Sequence, residues 1–326
     1  MSSLNTEYLG LGLRSPVIMG SSPLTGTLVN LKKAEDNGAG AVVIRSLFEE
    51  LIVNEARSQV ESASEFLTHS DAENFLEGAS RDYFIDKYLK LVQDAKKSLD
   101  IPVIASICCN TQGSWIDYAQ RFEACGADAL ELNYYILPSD SSVTGAQVEK
   151  TYLNLVKEAR KAVKLPLVLK IGYQFSSLSN MIRNFASIGV DGIVLFNHFV
   201  RPDIDLDSVQ VDTKLLLNRN GDYAETLRWI ALMAAETDVD FCASTGIKDS
   251  SVVLKMLLAG ARCAQLASAV FQNGFEVIGK FNKEIASWMD QHGYDTIDQF
   301  RGLLAQERMK HPEQWERAQY IKIESK

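Results

Sequence analysis

Pro102-Val103-Ile104-Ala105 starts one copy of a pattern that the chain repeats, and Gly126-Ala127-Asp128-Ala129-Leu130-Glu131-Leu132 ends that copy. The segment between these two apolar runs has the spacing of a helix. The leading glycine of the second run can take the left-handed conformation that ends a helix, and the apolar residues after it indicate a buried strand. One copy therefore predicts a strand, a helix and a second strand.

This pattern occurs four times along the chain. Four copies supply eight strands, each followed by a helix, which predicts the α/β class and a (β/α)8 TIM barrel. The chemistry of such a barrel lies at the C-terminal ends of its strands. The predicted strands are residues 16–21, 41–46, 102–107, 129–134, 166–171, 192–197, 240–244 and 263–267.

The segments outside the repeat predict an N-terminal hairpin and two long insertions. Residues 4–14 alternate around a glycine turn, and a hairpin there would plug the N-terminal mouth of the barrel. The insertions follow strands 2 and 6, at about 47–82 and 198–220. We interpret them as a lid or wall of the active site, as a subunit contact, or as both. The whole chain, 1–326, is predicted to be a single domain.

Composition limits the partners of this protein. The 326 residues carry a formal net charge of −9 with 46% hydrophobic and 23% charged residues, which is typical of a globular enzyme. An acidic protein lacks the basic face that nucleic acid or an anionic membrane surface would need. No apolar run has the length of a membrane span, and the N-terminus has no signal-like segment, so we expect a cytoplasmic protein. The four histidines are widely spaced, and we predict no metal site.

Two cations stand at predicted strand ends. Lys170 ends strand 5 and should point into the barrel mouth, where a cation is costly unless it meets an anion. The lysine could face an anionic ligand or act as a Schiff-base nucleophile, and a lysine that escapes to solvent is the structural alternative. Arg45 at the end of strand 2 cannot lose its proton, so its role is limited to electrostatics and hydrogen bonding.

Small and amide side chains follow four other strands. Ser244, Thr245 and Gly246 end strand 7, while Ala267 and Ser268 end strand 8. Each of these strand ends leads into the N-terminus of a helix, where free backbone N–H groups could bind a phosphate. Ordinary helix capping by Ser and Thr explains the same residues. Two further amides, Asn133 after strand 4 and Asn197 after strand 6, offer the donors and acceptors that suit an amide or imide heterocycle.

In their order and spacing, these residues resemble the class 1 dihydroorotate dehydrogenases, which are flavin enzymes built on a (β/α)8 barrel. Glu131-Leu132-Asn133 is similar to the E-L-N of that family at strand 4, and Leu169-Lys170 to its strand 5 lysine. Ser244-Thr245-Gly246-Ile247 resembles its T-G-G-I, and Gln265-Leu266-Ala267-Ser268-Ala269 resembles its Q-I-G-T-A. The similarity begins at the opening hairpin and continues into the C-terminal stretch 293–300, so it spans nearly the whole chain.

The resemblance implies an FMN-dependent oxidation of dihydroorotate or a similar dihydropyrimidine by hydride transfer to flavin. Lys170 would face the side of the flavin where negative charge collects on reduction, and Asn133 and Asn197 would bind the pyrimidine. The other residues implied to bind the cofactor are Gly20, Ser21, Arg45, Ser46, Asn133, Ser244, Thr245, Gly246, Ala267 and Ser268.

The chain departs from the family at the catalytic base. The family loop after strand 4 reads N-L-S-C-P-N and carries a Cys, or a Ser elsewhere, as the base, whereas this chain has no Cys in residues 133–140. Tyr135 or Ser139 would have to substitute, and an unperturbed Tyr is a poor base at neutral pH. Arg45 replaces a lysine of the family, and 217–221 lacks its Gly-Gly pair.

Three functional interpretations follow. The first is the flavin oxidoreductase with a small pyrimidine-like substrate. The second is a flavin-binding barrel with a different or lost activity, and the third is an aldolase or lyase that uses Lys170 as a Schiff base. The sequence leaves the electron acceptor open between a fumarate-like molecule and an electron-transfer partner subunit, and by resemblance we expect a homodimer.

Overall fold

A computed structural model describes residues 2–48, 70–108, 114–197, 202–212 and 221–321. It contains a closed barrel of eight parallel strands, in the order β3-β4-β6-β7-β8-β9-β12-β13 and back to β3. The strands are β1 Thr6–Tyr8, β2 Leu11–Leu13, β3 Val17–Met19, β4 Val42–Val43, β5 Leu47–Phe48, β6 Val103–Cys108, β7 Ala129–Asn133, β8 Leu167–Ile171, β9 Gly192–Leu195, β10 Asp203–Asp205, β11 Gln210–Asp212, β12 Asp240–Ala243 and β13 Cys263–Leu266.

Helices follow the strands around the outside of the barrel, so the predicted (β/α)8 fold is confirmed. The glycines that start the four predicted second strands, at 38, 126, 189 and 260, all have positive φ. The helices are α1 Leu28–Asp36, α2 Ser70–Ser98, α3 Ser114–Ala124, α4 Gly145–Ala162, α5 Leu178–Ile188, α6 Ala224–Met233, α7 Ser250–Ala259, α8 Ser268–Asn273, α9 Glu276–His292 and α10 Glu313–Ile321.

The N-terminal hairpin of β1 and β2 plugs the barrel, as its sequence predicts. Tyr8, Leu9 and Leu13 form one buried apolar cluster with the inward side chains of the barrel strands. The backbone N–H of Leu9 donates a 2.7 Å hydrogen bond to the carboxylate of Asp240 at the start of β12. Gly192 makes room for the plug, because a Cβ there would lie 2.6 Å from Leu9 Cδ2.

The second strand, predicted at 41–46, is shorter in the structure, and a further short strand lies in the insertion predicted after it. β4 ends at Val43, the chain leaves the sheet, and β5 resumes at Leu47, where it pairs in parallel with Ile107 of β6. Arg45 and Ser46 lie in this interruption, at the C-terminal end of the barrel. Part of the insertion predicted after this strand lies outside the described residues, and α2 already begins at Ser70.

The insertion after β9 contains a small antiparallel hairpin, β10 and β11, in which Ile204 pairs with Val211. The rest of that predicted insertion, 198–201 and 213–220, lies outside the described residues. Within the described part of the chain, no helix combines the length and the apolar character needed to cross a membrane.

Candidate active site

A cavity of about 340 Å³ opens at the C-terminal ends of the barrel strands. This is the face at which barrel enzymes carry their chemistry. Ten residues predicted from the sequence line this cavity: Ser21, Arg45, Ser46, Asn133, Lys170, Asn197, Ser244, Thr245, Ala267 and Ser268.

Lys170 is a buried cation at the cavity. Its side chain is 8% exposed and lines the cavity at the end of β8. Nζ donates a 2.9 Å hydrogen bond to Oε1 of Gln265, and Oε1 of Glu131 lies 3.9 Å away. A lysine so deeply buried is stable only with such partners.

Gln265 connects the lysine to the carboxylate. Its Nε2 donates a 2.6 Å hydrogen bond to Oε2 of Glu131, so its carbonyl oxygen is the atom left to face Lys170. Gly20 stands beside it without lining the cavity, and a Cβ at position 20 would approach Gln265 Cβ to 3.0 Å. The glycine therefore lets β3 approach β13 closely at the site.

A row of serine hydroxyls continues from the cavity into the barrel wall. Ser21 Oγ lies 2.9 Å from Ser46 Oγ, and Ser46 Oγ lies 2.8 Å from Ser106 Oγ. Ser106 Oγ donates to Oε1 of Glu131 at 3.4 Å. The backbone of Ser106 is held on both sides by Tyr88, whose hydroxyl accepts from its N–H and donates to its C=O.

The two predicted amides meet at the cavity. Nδ2 of Asn197 donates a hydrogen bond to Oδ1 of Asn133, across the ends of β9 and β7. Asn133 is also the strand neighbour of Lys170 in the β7–β8 ladder. Both amides keep further donors and acceptors for a ligand, because each side chain has four hydrogen-bonding positions.

The predicted phosphate end has an unusual backbone. Thr245 has φ of 70° and Gly246 has φ of 76°, and the Thr245 hydroxyl donates to the carbonyl oxygen of Phe196 at 2.9 Å. Helix α7 begins only at Ser250, where Asp249 caps it, so the N–H groups of residues 245 and 246 belong to the turn before the helix. Ser268 is the first residue of α8, and the first N–H groups of a helix have no partner within it.

Three predicted residues besides Gly20 do not line the cavity. Gly246 is buried behind Thr245, while Ser139 is exposed and Tyr135 is half-buried in the segment after β7. Burial, followed by the nearby phenol of Tyr173, raises the pKa of Tyr135 above its usual value of 10.0. The phenol of Tyr135 is therefore even less available as a base at neutral pH.

Sequence reasoning missed several residues of the site. The motifs contain Glu131 and Gln265 without indicating their contact, although a charged and an amide side chain inside apolar strands are a signal for a buried polar contact. Ser22 also lines the cavity, and among the described residues nothing accepts from or donates to its buried hydroxyl. Phe48, Ile247 and Phe271 supply the apolar part of the lining.

The barrel and this polar cavity define a (β/α)8 protein with a ligand site at its C-terminal face. The chain is 24% identical over 309 residues to the "Dihydroorotate dehydrogenase B (NAD(+)), catalytic subunit" of Pyrococcus furiosus, and the match covers 92% of this chain and 98% of that protein. It is 23% identical over 321 residues to the "NAD-dependent dihydropyrimidine dehydrogenase subunit PreA" of Escherichia coli, over 92% of this chain and 76% of that protein.

A solved structure supports the same fold. The crystal structure of DHODH in complex with ferulenol from Eimeria tenella matches with a TM-score of 0.66 at 15% identity, over 92% of this chain and 88% of that one. No family model matches the chain. The resemblance to class 1 dihydroorotate dehydrogenases that the motifs predict is confirmed by these relatives. Because the named relatives are dehydrogenases, the comparisons support an oxidoreductase.

Proposed function

We propose that this protein is an FMN-dependent oxidoreductase that converts dihydroorotate, or a similar dihydropyrimidine, to the unsaturated ring. The observation that carries the proposal is the buried Lys170 beside a cavity lined by two amides and several serines. The names of the relatives, a dihydroorotate dehydrogenase and a dihydropyrimidine dehydrogenase subunit, support the ring as substrate.

The residues at the cavity fit FMN by their chemistry. A fixed cation, Lys170, suits the side of the ring on which reduction places negative charge, and the serine hydroxyls and backbone amides suit the polar edge and the phosphate. The buried hydroxyl of Ser22 at the cavity wall has no hydrogen-bond partner among the described residues, and it is a donor that a ligand could satisfy. The cavity volume of 340 Å³ also lies in the range of small-molecule sites.

When bound, FMN supplies the hydride acceptor for this reaction. Ser21, which follows β3, and Arg45 and Ser46, which follow β4, line the cavity and would flank it, whereas a contact from Gly20 stays a prediction of the resemblance. Its phosphate would be held by the residues at the ends of β12 and β13, namely Ser244, Thr245, Gly246, Ala267 and Ser268.

Asn133 and Asn197 would bind the substrate through its amide and imide groups. Tyr135 and Ser139 do not line the cavity, and their role as the base stays a prediction from the sequence alone. As the relatives are named subunits, we also propose that an electron-transfer partner subunit receives the electrons. A homodimer stays a prediction from the resemblance.

The simplest test is the colour of the purified protein. We expect a yellow protein with flavin absorbance bands, and we expect anaerobic addition of dihydroorotate or another dihydropyrimidine to bleach these bands. A protein that stays colourless after incubation with excess FMN would contradict the proposal. A bound flavin that no dihydropyrimidine reduces would favour the flavin-binding barrel with a different or lost activity. Covalent trapping of a carbonyl compound on Lys170 by borohydride would favour the Schiff-base aldolase or lyase.

The amide pair gives a second prediction. Asn197→Ala should lower kcat/KM for the pyrimidine by about 10- to 100-fold, since a lost hydrogen bond at a buried site costs about 1–3 kcal/mol. Titration of the flavin spectrum should show FMN affinity close to that of the unmodified protein.

The matched control for this prediction is Asn184→Ala. Asn184 belongs to another amide pair, in which its Nδ2 donates to Oδ1 of Asn180 at 2.9 Å on the surface of α5. We expect unchanged kinetics there. Equal effects in the two variants would contradict the proposal that Asn197 binds the substrate.

A further inference from the structure

Three serines form a continuous hydroxyl chain between the cavity and a buried carboxylate. Ser21 and Ser46 line the cavity, whereas Ser106 and Glu131 lie behind its wall and are 0% and 1% exposed. The chain therefore joins a place that a ligand can reach to a place that solvent does not reach.

The hydrogen bonds of this hydroxyl chain all run from donor to acceptor in one direction. A carboxylate only accepts hydrogen bonds, so Ser106 must donate its single hydroxyl hydrogen to Glu131. Ser46 must then donate to Ser106, and Ser21 must donate to Ser46. All three hydroxyls thus donate toward Glu131.

This direction leaves the lone pairs of Ser21 as the entrance to the chain. Ser21 Oγ accepts a 2.8 Å hydrogen bond from the backbone N–H of Ser46, which fixes the side chain in place. Its second lone pair is available to a donor in the cavity that Ser21 lines. A chain of this kind passes a proton when each hydroxyl accepts one hydrogen and gives up its own.

We infer that Glu131 is the final acceptor of the proton that the substrate loses, and that Ser21, Ser46 and Ser106 carry this proton to it. The inference rests on the proposed function. One C–H bond of the substrate breaks and its proton goes to Ser21, while each serine passes its own proton one position on. Glu131 ends as a carboxylic acid, and the hydride is the one that the proposed function assigns to the cofactor, so atoms and electrons balance.

Lys170 lies where the proton transfer to Glu131 changes the effect of its positive charge on the cavity. While Glu131 is a carboxylate, its negative charge partly offsets the positive charge of Lys170, because Oε1 of Glu131 lies 3.9 Å from Nζ of Lys170. Gln265 is hydrogen-bonded to both side chains. Protonation of Glu131 removes that negative charge, and the positive charge of Lys170 then acts on the cavity alone. The lysine therefore acts most strongly on negative charge in the cavity once the proton has left it.

The variant Ser106→Ala tests the chain in its middle. Ser106 does not line the cavity, and Tyr88 holds it through backbone atoms that the substitution keeps. With FMN bound, the unmodified protein should gain the infrared C=O band of a protonated carboxyl group when substrate reduces the flavin. Ser106→Ala should lose this band, lower the rate of flavin reduction by about 100-fold or more, and reduce the solvent deuterium isotope effect.

Two variants separate the relay from a loss of packing. Ser106→Thr keeps a hydroxyl and should recover the band and most of the rate. Ser15→Ala removes another buried serine hydroxyl, which hydrogen-bonds Asn282 at 2.7 Å before β3, and should keep the band and the rate.

The outcomes distinguish the relay from the proposed function. A flavin that binds and is reduced without the carboxyl band, or at the same rate in Ser106→Ala, overturns the relay and leaves the oxidoreductase intact. An unmodified protein that binds no FMN overturns both.

Discussion

Lys170→Ala should weaken FMN binding by about 10- to 100-fold and slow flavin reduction by about 10²–10³-fold. The lysine supplies a buried, charged hydrogen-bond donor at the cavity, and such donors act most strongly where water is excluded. The measurements are titration of the apoprotein with FMN, followed by fluorescence, and anaerobic single-turnover reduction. We also expect a lower reduction potential of the bound flavin.

The same substitution leaves Glu131 without its counter-ion, and an unpaired buried charge costs about 3–5 kcal/mol of stability. The double variant Lys170→Met with Glu131→Gln removes both charges and keeps similar volumes. We expect it to regain stability against urea without regaining flavin reduction. A double variant that regained both would show that the lysine has only a structural role.

Lys96→Ala is the matched control. Lys96 forms a 2.6 Å ion pair with Asp128 just before β7, at the opposite end of the barrel strands. Its loss should change stability by no more than about 1 kcal/mol and leave FMN binding unchanged. An equal loss of FMN affinity in this variant would mean that the effect of Lys170→Ala is not local.

Gly246→Ala should destabilise the protein by about 2–5 kcal/mol and lower its affinity for FMN. Gly246 has φ of 76°, and a Cβ there would lie 2.8 Å from the Asp222 carbonyl carbon and from Tyr223 Cα. Backbone atoms cannot move aside as a side chain can, so the turn that carries the proposed phosphate contacts has to shift. Urea unfolding and FMN titration measure the two effects.

The control variant Gly126→Ala separates the cost of a left-handed backbone from the cost of a steric clash at the added Cβ. Gly126 has φ of 83°, and nothing lies within 4 Å of a Cβ at that position. It should therefore show only the left-handed backbone cost of about 1–2 kcal/mol, with normal FMN affinity. If both alanine variants lost equal stability and neither lost affinity, Gly246 would have no special place at the site.

Local chemistry explains how much of the fold the sequence could predict. The repeated glycines end helices with positive φ, and the apolar runs after them form strands, because these properties depend on neighbouring residues. The interruption between Val43 and Leu47 could be predicted only in part, since Arg45 and Ser46 end the apolar run but the return to the sheet at Leu47 depends on pairing with β6. The β10–β11 hairpin is absent from the prediction although residues 203–206 and 209–212 alternate between polar and apolar, and its strands have no buried face.

For the site, individual residues could be predicted from the sequence, whereas their contacts with one another could not. Lys170, Asn133 and Asn197 could be predicted because polar side chains at strand ends of a barrel must face its mouth. The predicted barrel makes the strands of Ser106 and Glu131 neighbours, but Gln265 reaches Glu131 from a strand that is not adjacent, and no spacing in the sequence indicates this contact. The order of the hydroxyls in one chain depends in the same way on side-chain directions inside the barrel.

The plugged N-terminal end has a kinetic consequence. Tyr8, Leu9 and Leu13 close the barrel from below, so within the described part of the chain the cavity opens toward the C-terminal face alone. Molecules that share a blind cavity must enter and leave in sequence, and the deeper occupant is trapped until the outer one departs. If FMN occupies the deeper part of the cavity under the proposed function, turnover should follow a compulsory order, with the pyrimidine product released before the cofactor can exchange.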